Sequence, residues 1–195
     1  MHRVNRILTQ TTKDKNKLYA LHAPEVECIP KGRARTPYEF SVRVIVAITI
    51  KEGFVVGTRS IPGNPYDGHT LEEAIEQVCI LAEQTPKIVI VDRRYQGAEL
   101  EGIRILRSGQ KRGISRTLHA MIKRRSAIEP SIGHMKTDRR LARNPLKGAL
   151  GDALHAVLCG AGHNIRMLRL LFTFIVWAIT GDRAMNQRAH QLAIG

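Results

Sequence analysis

The pattern of apolar and polar positions predicts a β-hairpin in the first third of the chain. Tyr38 to Ile50 is rich in β-branched residues, Lys51 to Gly53 offers a turn, and Phe54 to Ser60 resumes the pattern. Before it, residues 1–37 predict a short helix and then a loop, because prolines at positions 24, 30 and 37 interrupt regular structure. We expect this segment to connect the hairpin to a preceding part of the protein.

The middle of the chain predicts a helix and two strands. Thr70-x-x-Glu73 has the spacing of a capping box, so a helix is expected to begin there and to run to about Gln84. Lys87 to Asp92 is almost wholly apolar and ends in a carboxylate, which is typical of a central strand covered on both faces. Leu100 to Leu106 predicts another short strand.

Helical periodicity dominates the rest of the chain. Arg116 to about Lys136 predicts a basic amphipathic helix, which Pro130 is expected to bend or to begin. Gly148 to about Ile179 predicts a long apolar helix. Its stretch Leu170 to Ile179 is shorter than the roughly 20 apolar residues of a membrane-spanning helix, so we interpret it as buried and expect no membrane partner. The order of elements predicts an α/β or α+β fold with a mixed sheet flanked by helices.

The charge of the chain indicates a polyanionic partner. The 195 residues carry a formal net charge of +14, and Ile103 to Lys147 holds thirteen Lys or Arg but only two acids, Glu129 and Asp138. A basic segment of this kind favours nucleic acid as the partner, and a merely solvated basic face is the alternative.

The cysteines predict neither a disulfide framework nor a zinc ribbon. Cys28, Cys79 and Cys159 are odd in number, widely spaced and without a CxxC pair, which fits a reducing cytosol. His155, Cys159 and His163 follow one another at four-residue steps and could face one way as zinc ligands. Their Ala, Gly and Leu neighbours and the lack of a fourth ligand favour close helix packing instead.

Two carboxylates are candidates for catalysis. Asp92 directly follows a β-branched run, at the end of a strand where α/β sheets present functional groups, although an aspartate there also commonly closes the next turn. Glu129 lies four residues after Arg125 and seven before Lys136, separations that return to one helix face. That stripe would place a metal-binding acid between two phosphate-binding cations, and a simple exposed Arg–Glu pair is the alternative.

These residues carry a resemblance to a known family. The segments VDRRYQG and RRSAIEPSIGHMKTDRRLARNPLKGALGDALHAVLCGAGHNIRMLRLL resemble the DDE transposases of bacterial insertion sequences, as do HAPEVECIPKGRARTPYEF and GNPYDGHTL. The likeness covers nearly the whole chain, and the family's Arg-x3-Glu-x6-Lys spacing is met by Arg125, Glu129 and Lys136. The tyrosine that often stands three residues before that arginine is replaced by Ile122.

The resemblance implies a ribonuclease H-like fold and a DNA strand cleavage and transfer activity. Asp92 would be the second aspartate and Glu129 the glutamate of a triad that holds two Mg²⁺ or Mn²⁺ ions, with double-stranded DNA as substrate. DNA-binding residues would be Arg125 and Lys136, together with four cations of the same basic segment, Lys123, Arg124, Arg139 and Arg140. A cytoplasmic, nucleoid-associated location in a bacterium and a homodimer in the intact protein are also implied.

The sequence departs from the family pattern in two places. No segment resembles the first central strand and its aspartate, for which Asp14 and Asp67 are poor substitutes, so the fold is expected to lack that strand. Arg94 and Gln96 stand where the family usually has Gly and Arg, which predicts a distorted turn after Asp92.

We therefore divide the chain into three parts: a connecting segment at 1–37, a partial catalytic domain at 38–180 and a tail at 181–195. Two functions remain open: the core of an active enzyme, or a catalytically inactive nucleic-acid-binding remnant. A ribonuclease H-like nuclease unrelated to transposition is a third.

Overall fold

A computed structural model describes residues 2–31, 34–63, 65–110 and 112–192 of the chain, and their side chains as far as residue 180. Helices and strands are mixed, which confirms the α+β class. The strands are β1 Glu27–Pro30, β2 Tyr38–Ser41, β3 Arg43–Ile48, β4 Val55–Ile61, β5 Ile88–Val91 and β6 Arg104–Arg107. The helices are α1 His2–Thr9, α2 Asp67–Ala82, α3 Arg116–Arg124, α4 Ile128–Thr137 and α5 Gly148–Leu192.

The strands form three two-stranded sheets, β1–β2, β3–β4 and β5–β6. The segment expected to be one strand from Tyr38 to Ile50 is broken at Val42, and its first part pairs with β1, in a region predicted to be a loop. Pro30 is the last residue of β1 and pairs with Tyr38, the first residue of β2. Just beyond this pair, the Lys31 amide donates to the Pro37 carbonyl at 2.8 Å.

The predicted hairpin of β3 and β4 is confirmed, and helices pack on both faces of its second strand, β4. Consecutive residues of a strand point to opposite faces of a sheet. A Cβ on Gly57 would meet Val78 of α2 at 3.1 Å, and a Cβ on Gly160 of α5 would meet Thr58 at 2.9 Å. Helix α2 therefore packs on one face of β4 and α5 on the other.

Strand β5 lies where the apolar run predicts it, but it is not central among the described strands. It pairs in parallel with β6 alone, in the register Ile88↔Arg104 to Val91↔Arg107. Leu71 and Ile75 of α2 pack against Val91. Residues 100–103 form a turn, so β6 begins later than the predicted strand at Leu100.

Helix α2 begins at Asp67, three residues before the predicted capping box. The Thr70 hydroxyl donates to the Asp67 carbonyl at 2.8 Å from within the first turn, so Thr70 does not cap the helix. The helix ends at Ala82, followed by Glu83 in the left-handed conformation, with φ of +52°.

The basic helix predicted over 116–136 is interrupted, as Pro130 led us to expect. Helix α3 ends at Arg124, a single 3-10 turn spans Arg125–Ala127, and α4 begins at Ile128. Pro130 falls in the first turn of α4, where the lack of an amide donor costs little.

Helix α5 continues beyond the predicted end near Ile179, to Leu192. The prediction that residues 170–179 are buried is wrong for this chain by itself: Phe172 and Trp177 are each 67% exposed, and the other apolar side chains of the stretch are exposed as well. Nothing in the described chain packs against this half of the helix closely enough to cover it. No described helix contains a stretch long and apolar enough to cross a bilayer.

Candidate nucleic-acid and metal site at the end of β5

Asp92 follows the last residue of β5, and its carboxylate is held in place by three neighbours. Its Oδ1 accepts hydrogen bonds from the Arg93 amide at 2.7 Å and from the Ser108 hydroxyl at 3.1 Å. Arg125 Nη2 lies 3.8 Å from Asp92 Oδ2 and forms an ion pair with it. Ser108 reaches the site because it follows β6, which runs parallel to β5 and ends at the same edge.

These neighbours stabilise the ionised form of Asp92. Partial burial acts to raise the pKa of the Asp92 carboxyl group, but the Arg93 and Ser108 hydrogen bonds lower it, and the positive charges of Arg125 and Arg94 lower it further. The net result is a pKa below the ordinary value of an aspartate. The group is therefore an anion at neutral pH.

Asp92 opens onto a cleft of about 1020 Å³ between β3 and β5, which we call the Asp92 cleft. Arg94, Arg125 and Lys136 also line this cleft. Lys136 makes no ion pair within the described part of the chain. The whole lining carries seven Lys or Arg and six Asp or Glu side chains. At Asp92 itself the positive charges of two arginines, Arg125 and Arg94, act on one carboxylate.

Glu129 does not join this group. It lies on the first turn of α4, is exposed, and is absent from the residues that line the Asp92 cleft, although Arg125 before it and Lys136 after it both line the cleft. Across the described residues, no cluster of three His, Cys, Asp or Glu side chains could hold a metal ion. The predicted stripe of Arg125, Glu129 and Lys136 is not continuous, because the 3-10 turn at Arg125–Ala127 changes the helical phase.

The four remaining predicted DNA-binding cations have different surroundings. Lys123 and Arg124 are exposed at the end of α3, and Arg124 donates to the Lys51 carbonyl at 3.1 Å. Arg139 and Arg140 follow α4, and their carbonyls contact Cys159 and His155 of α5. The backbone of these two arginines thus joins α4 to α5, while the Arg140 side chain stays exposed.

His155, Cys159 and His163 are packing residues, as the sequence favoured. His155 Nε2 lies 2.9 Å from the Arg140 carbonyl oxygen, and His163 Nε2 lies 3.0 Å from that of Gly53. Cys159 Sγ donates to the Arg139 carbonyl at 3.0 Å, and burial raises the pKa of its thiol. Each side chain contacts a different carbonyl, and zinc coordination is not needed to explain any of them.

The sequence did not reveal three residues of the site: Ser108, Arg94 and Arg43. Ser108 is not part of any motif, and only the parallel pairing of β5 with β6 brings it to Asp92. Arg94 lies in the turn after Asp92, its φ is not positive, and the Tyr95 amide closes the turn by donating to the Asp92 carbonyl at 3.2 Å. Arg43 forms an ion pair with Asp67 beside the same turn.

No family model, curated protein or solved structure matched this chain.

Proposed function

We propose that this chain is part of the catalytic core of a DDE transposase of a bacterial insertion sequence, with a ribonuclease H-like fold, and that it binds double-stranded DNA. The order of a hairpin, a helix and two parallel strands supports the fold, and the motifs around Asp92 and Glu129 support the family. Cleavage and transfer of DNA strands would be the activity of the intact protein.

One observation carries the proposal: Asp92, Arg125 and Lys136, which are far apart in the sequence, line one cleft. The family motif requires that the carboxylate at the strand end and the cations of the basic helix region lie in the same site. Arg125 can bind a phosphate through two parallel hydrogen bonds, and Lys136 can add a point charge beside it. A phosphate at this place would lie next to Asp92, where a cleavage reaction needs it.

The described residues do not by themselves complete a site for Mg²⁺ or Mn²⁺. Such ions prefer several oxygen ligands, but Asp92 Oδ1 accepts two hydrogen bonds and Oδ2 faces Arg125, while Glu129 lies outside the cleft. A metal centre would need Arg125 to leave Asp92 and Glu129 to turn inward. In that rearranged site the two acids would be the metal ligands that the family motif implies.

The ion pair between Asp92 and Arg125 favours a second candidate function, a catalytically inactive nucleic-acid-binding remnant. In that case Arg125 would neutralise Asp92 permanently, and the cations of the Asp92 cleft and of α3 would bind DNA without cutting it. Binding is common to both functions, and strand cleavage separates them.

The DNA-binding part is tested by measuring the affinity of the 195-residue chain for a duplex at several salt concentrations. Lys136→Ala is expected to weaken binding and to reduce the slope of log K against log salt by about one, because one phosphate contact is lost. Lys13→Ala is the matched control, since Lys13 is an exposed lysine that does not line the cleft. Equal effects of the two substitutions would contradict a phosphate site in the cleft.

The catalytic part is tested by nicking of supercoiled plasmid during titration with Mg²⁺ or Mn²⁺. An enzyme would nick only with the metal, and Asp92→Asn or Glu129→Gln would each slow nicking by at least about 100-fold, since metal ions contribute several kcal/mol to such reactions. Salt-sensitive binding without nicking at any metal concentration would establish the remnant. Cleavage without transfer of strands would indicate a nuclease.

A further inference from the structure

A second cavity, of about 520 Å³, lies beside the Asp92 cleft at the turn that follows β5. We call it the Arg93 pocket. Three arginines line it, together with the ring of Tyr66 and one acid, Asp67; the arginines are Arg43, Arg93 and Arg94. Arg93 and Tyr66 do not line the Asp92 cleft, whereas the other three residues line both cavities. A volume of this size is typical of pockets that bind small organic ligands.

The Arg93 pocket is positively charged when its whole lining is counted. Three arginines stand against a single acid, which is a formal excess of two positive charges. Asp67 forms an ion pair with Arg43, so the uncompensated charges are those of Arg93 and Arg94. The pocket differs in this respect from the Asp92 cleft, whose lining holds seven basic and six acidic side chains. An anion is therefore the ligand that complements the Arg93 pocket.

Arg43 is fixed in the pocket and keeps donors for a ligand. Its Nη1 donates to the Pro65 carbonyl at 3.1 Å and also binds the Asp67 carboxylate. Within the described residues, Nη2 and Nε of Arg43 make no hydrogen bond. The Arg43 side chain is only 23% exposed, and a charge that is partly withdrawn from water interacts more strongly with an ion beside it.

Arg93 is also held in place, and Arg94 has its charge available. Arg93 Nε donates to the Ser108 carbonyl at 3.2 Å. Its guanidinium lies against Gly109, where an added Cβ would come within 2.8 Å of Arg93 Cζ. Arg94 makes no ion pair within the part of the chain that the structure describes. Guanidinium groups bind phosphate oxygens through pairs of parallel hydrogen bonds, so this set of arginines is suited to a phosphate.

Tyr66 adds an aromatic wall to the pocket. Its hydroxyl donates to the Gln96 carbonyl at 3.1 Å, and its ring packs against Gly68, where an added Cβ would meet a ring carbon at 2.7 Å. Tyr66 is nevertheless 50% exposed. Unpaired bases of nucleic acids stack on such rings with little regard to their identity. A fixed ring beside three arginines can therefore hold a nucleoside together with its phosphate.

The excess of two charges distinguishes between kinds of phosphate. A phosphate monoester carries about −1.5 to −2 charges at neutral pH, because its second pKa is about 6. Each phosphodiester of a DNA backbone carries a single negative charge. A monoester also presents three terminal oxygens to the arginine donors, against two in a diester. The pocket thus matches a monoester better than an internal position of a strand.

We propose that the Arg93 pocket binds the phosphate monoester of a nucleotide. The phosphate is held by Arg93, Arg94 and Arg43, and the base stacks on Tyr66. Two sources carry this group, the 5′-phosphorylated end of a DNA strand and a free nucleoside 5′-monophosphate. The first source rests on the DNA binding proposed above, and the second does not. Because Arg94 lines both cavities, a strand end bound here would lie directly beside the Asp92 cleft.

The proposal is tested with two single-stranded DNA probes of about ten nucleotides, a length within the site sizes of single-strand binding proteins. Both carry fluorescein at the 3′ end, and they differ only in having a phosphate or a hydroxyl at the 5′ end. Their affinities for the full chain are measured by fluorescence anisotropy at about 0.15 M salt, where long-range attraction is screened. We expect the 5′-phosphorylated probe to bind at least about fivefold more tightly.

Arg93→Gln tests the pocket separately from the cleft, because Arg93 does not line the cleft. It is expected to reduce the preference for the 5′ phosphate to about twofold or less. Arg169→Gln is the matched control, since Arg169 is an exposed arginine of α5 that lines neither cavity, and it should leave the preference unchanged. Arg94→Gln should act as Arg93→Gln does and replaces it if that variant fails to fold.

Competition against the 5′-phosphorylated probe identifies the source of the ligand. Thymidine 5′-monophosphate should displace the probe at lower concentration than inorganic phosphate, and thymidine should displace it least. If the monophosphate does not compete but the 5′ phosphate of the probe is still preferred, the pocket binds a strand end only. If neither DNA probe binds, the proposed DNA binding fails. Calorimetry of thymidine 5′-monophosphate with the native chain and with Arg93→Gln then tests the pocket by itself.

Two sets of results would overturn the proposal. The first is equal affinity for the two DNA probes together with no binding of thymidine 5′-monophosphate. The second is a preference for the 5′ phosphate that persists in both Arg93→Gln and Arg94→Gln, or that Arg169→Gln abolishes equally. Either form of the second result would mean that the 5′ phosphate is attracted by the general positive charge of the chain and not by this pocket.

Discussion

The two strands of the β3–β4 hairpin differ in how deeply their residues are buried. Strand β4 is covered on both faces, and Val55, Gly57, Thr58 and Ile61 are buried, whereas no residue of β3 is buried, although β3 is the more apolar strand. The difference lies in their neighbours, because α2 and α5 pack directly on β4 while β3 faces the Asp92 cleft. Hydrophobic sequence alone therefore does not determine burial in this molecule. Helix α5 packs directly against β4, whereas the Asp92 cleft lies open between β3 and β5.

The largest effect is expected at Gly160, where α5 approaches β4 most closely. Even a Cβ at this position would lie 2.9 Å from Thr58 and 3.0 Å from Val55, so Gly160→Leu has to separate the helix from the strand. We expect it to lower the free energy of unfolding by about 3 kcal/mol, measured by urea denaturation.

Gly133→Leu in α4 is the matched control, because nothing lies within 4 Å of its added Cβ. It is expected to leave the stability unchanged or to raise it slightly through helix propensity. A similar loss of stability for both variants would show that the close contact between α5 and β4 is not the cause of the destabilisation by Gly160→Leu.

A smaller effect is expected at Asn164, whose side chain binds both backbone groups of Val55. Its Oδ1 accepts from the Val55 amide and its Nδ2 donates to the Val55 carbonyl, each at 2.8 Å. Asn164→Ala removes both bonds and is expected to lower the free energy of unfolding by about 2 kcal/mol.

Asn5→Ala on α1 is the comparison for Asn164→Ala, since the Asn5 side chain is exposed and makes no hydrogen bond within the described residues. Hydrogen exchange should show that Asn164→Ala loosens the Val55 end of β4 more than β5. An equal increase of hydrogen exchange in both strands would mean that the two regions unfold as one unit. The difference in burial between them would then not correspond to a difference in local stability.

The smallest effect is expected at Asp92, at the mouth of the open region. Because the pKa of Asp92 is lower in the folded protein than in the unfolded chain, its contribution to stability is present above the unfolded pKa and is lost as the pH falls through the folded value. The side chain is 49% exposed, so solvent screening keeps this contribution below about 1 kcal/mol.

The measurement is the free energy of unfolding from pH 6 to pH 3 for the native chain and for Asp92→Asn. The native chain should lose slightly more stability as the pH falls, and Ser108→Ala should reduce that difference, because one hydrogen bond to the carboxylate is removed. A difference of the opposite sign would show that burial, and not the surrounding donors, dominates at Asp92.

The sequence by itself determined the local features of this protein. Alternation and β-branched residues located β3, β4 and β5, Pro130 located the break between α3 and α4, and the apolar run before Asp92 placed that carboxylate at a strand end. The close spacing of His155, Cys159 and His163 among small residues indicated packing. These features depend on residues near one another in the chain, so periodicity and backbone preference suffice to predict them.

Only the tertiary structure decided which distant groups meet. The parallel register of β5 and β6 brings Ser108 to Asp92, and the 3-10 turn after α3 directs Arg125 toward Asp92 while Glu129 stays outside the cleft. The division into three small sheets and the exposure of residues 170–179 were likewise invisible in the pattern. Strand pairing and helix packing are contacts between segments that are remote in the sequence. An apolar pattern indicates which surface of a segment is suited to packing, but it does not identify the segment that packs against it.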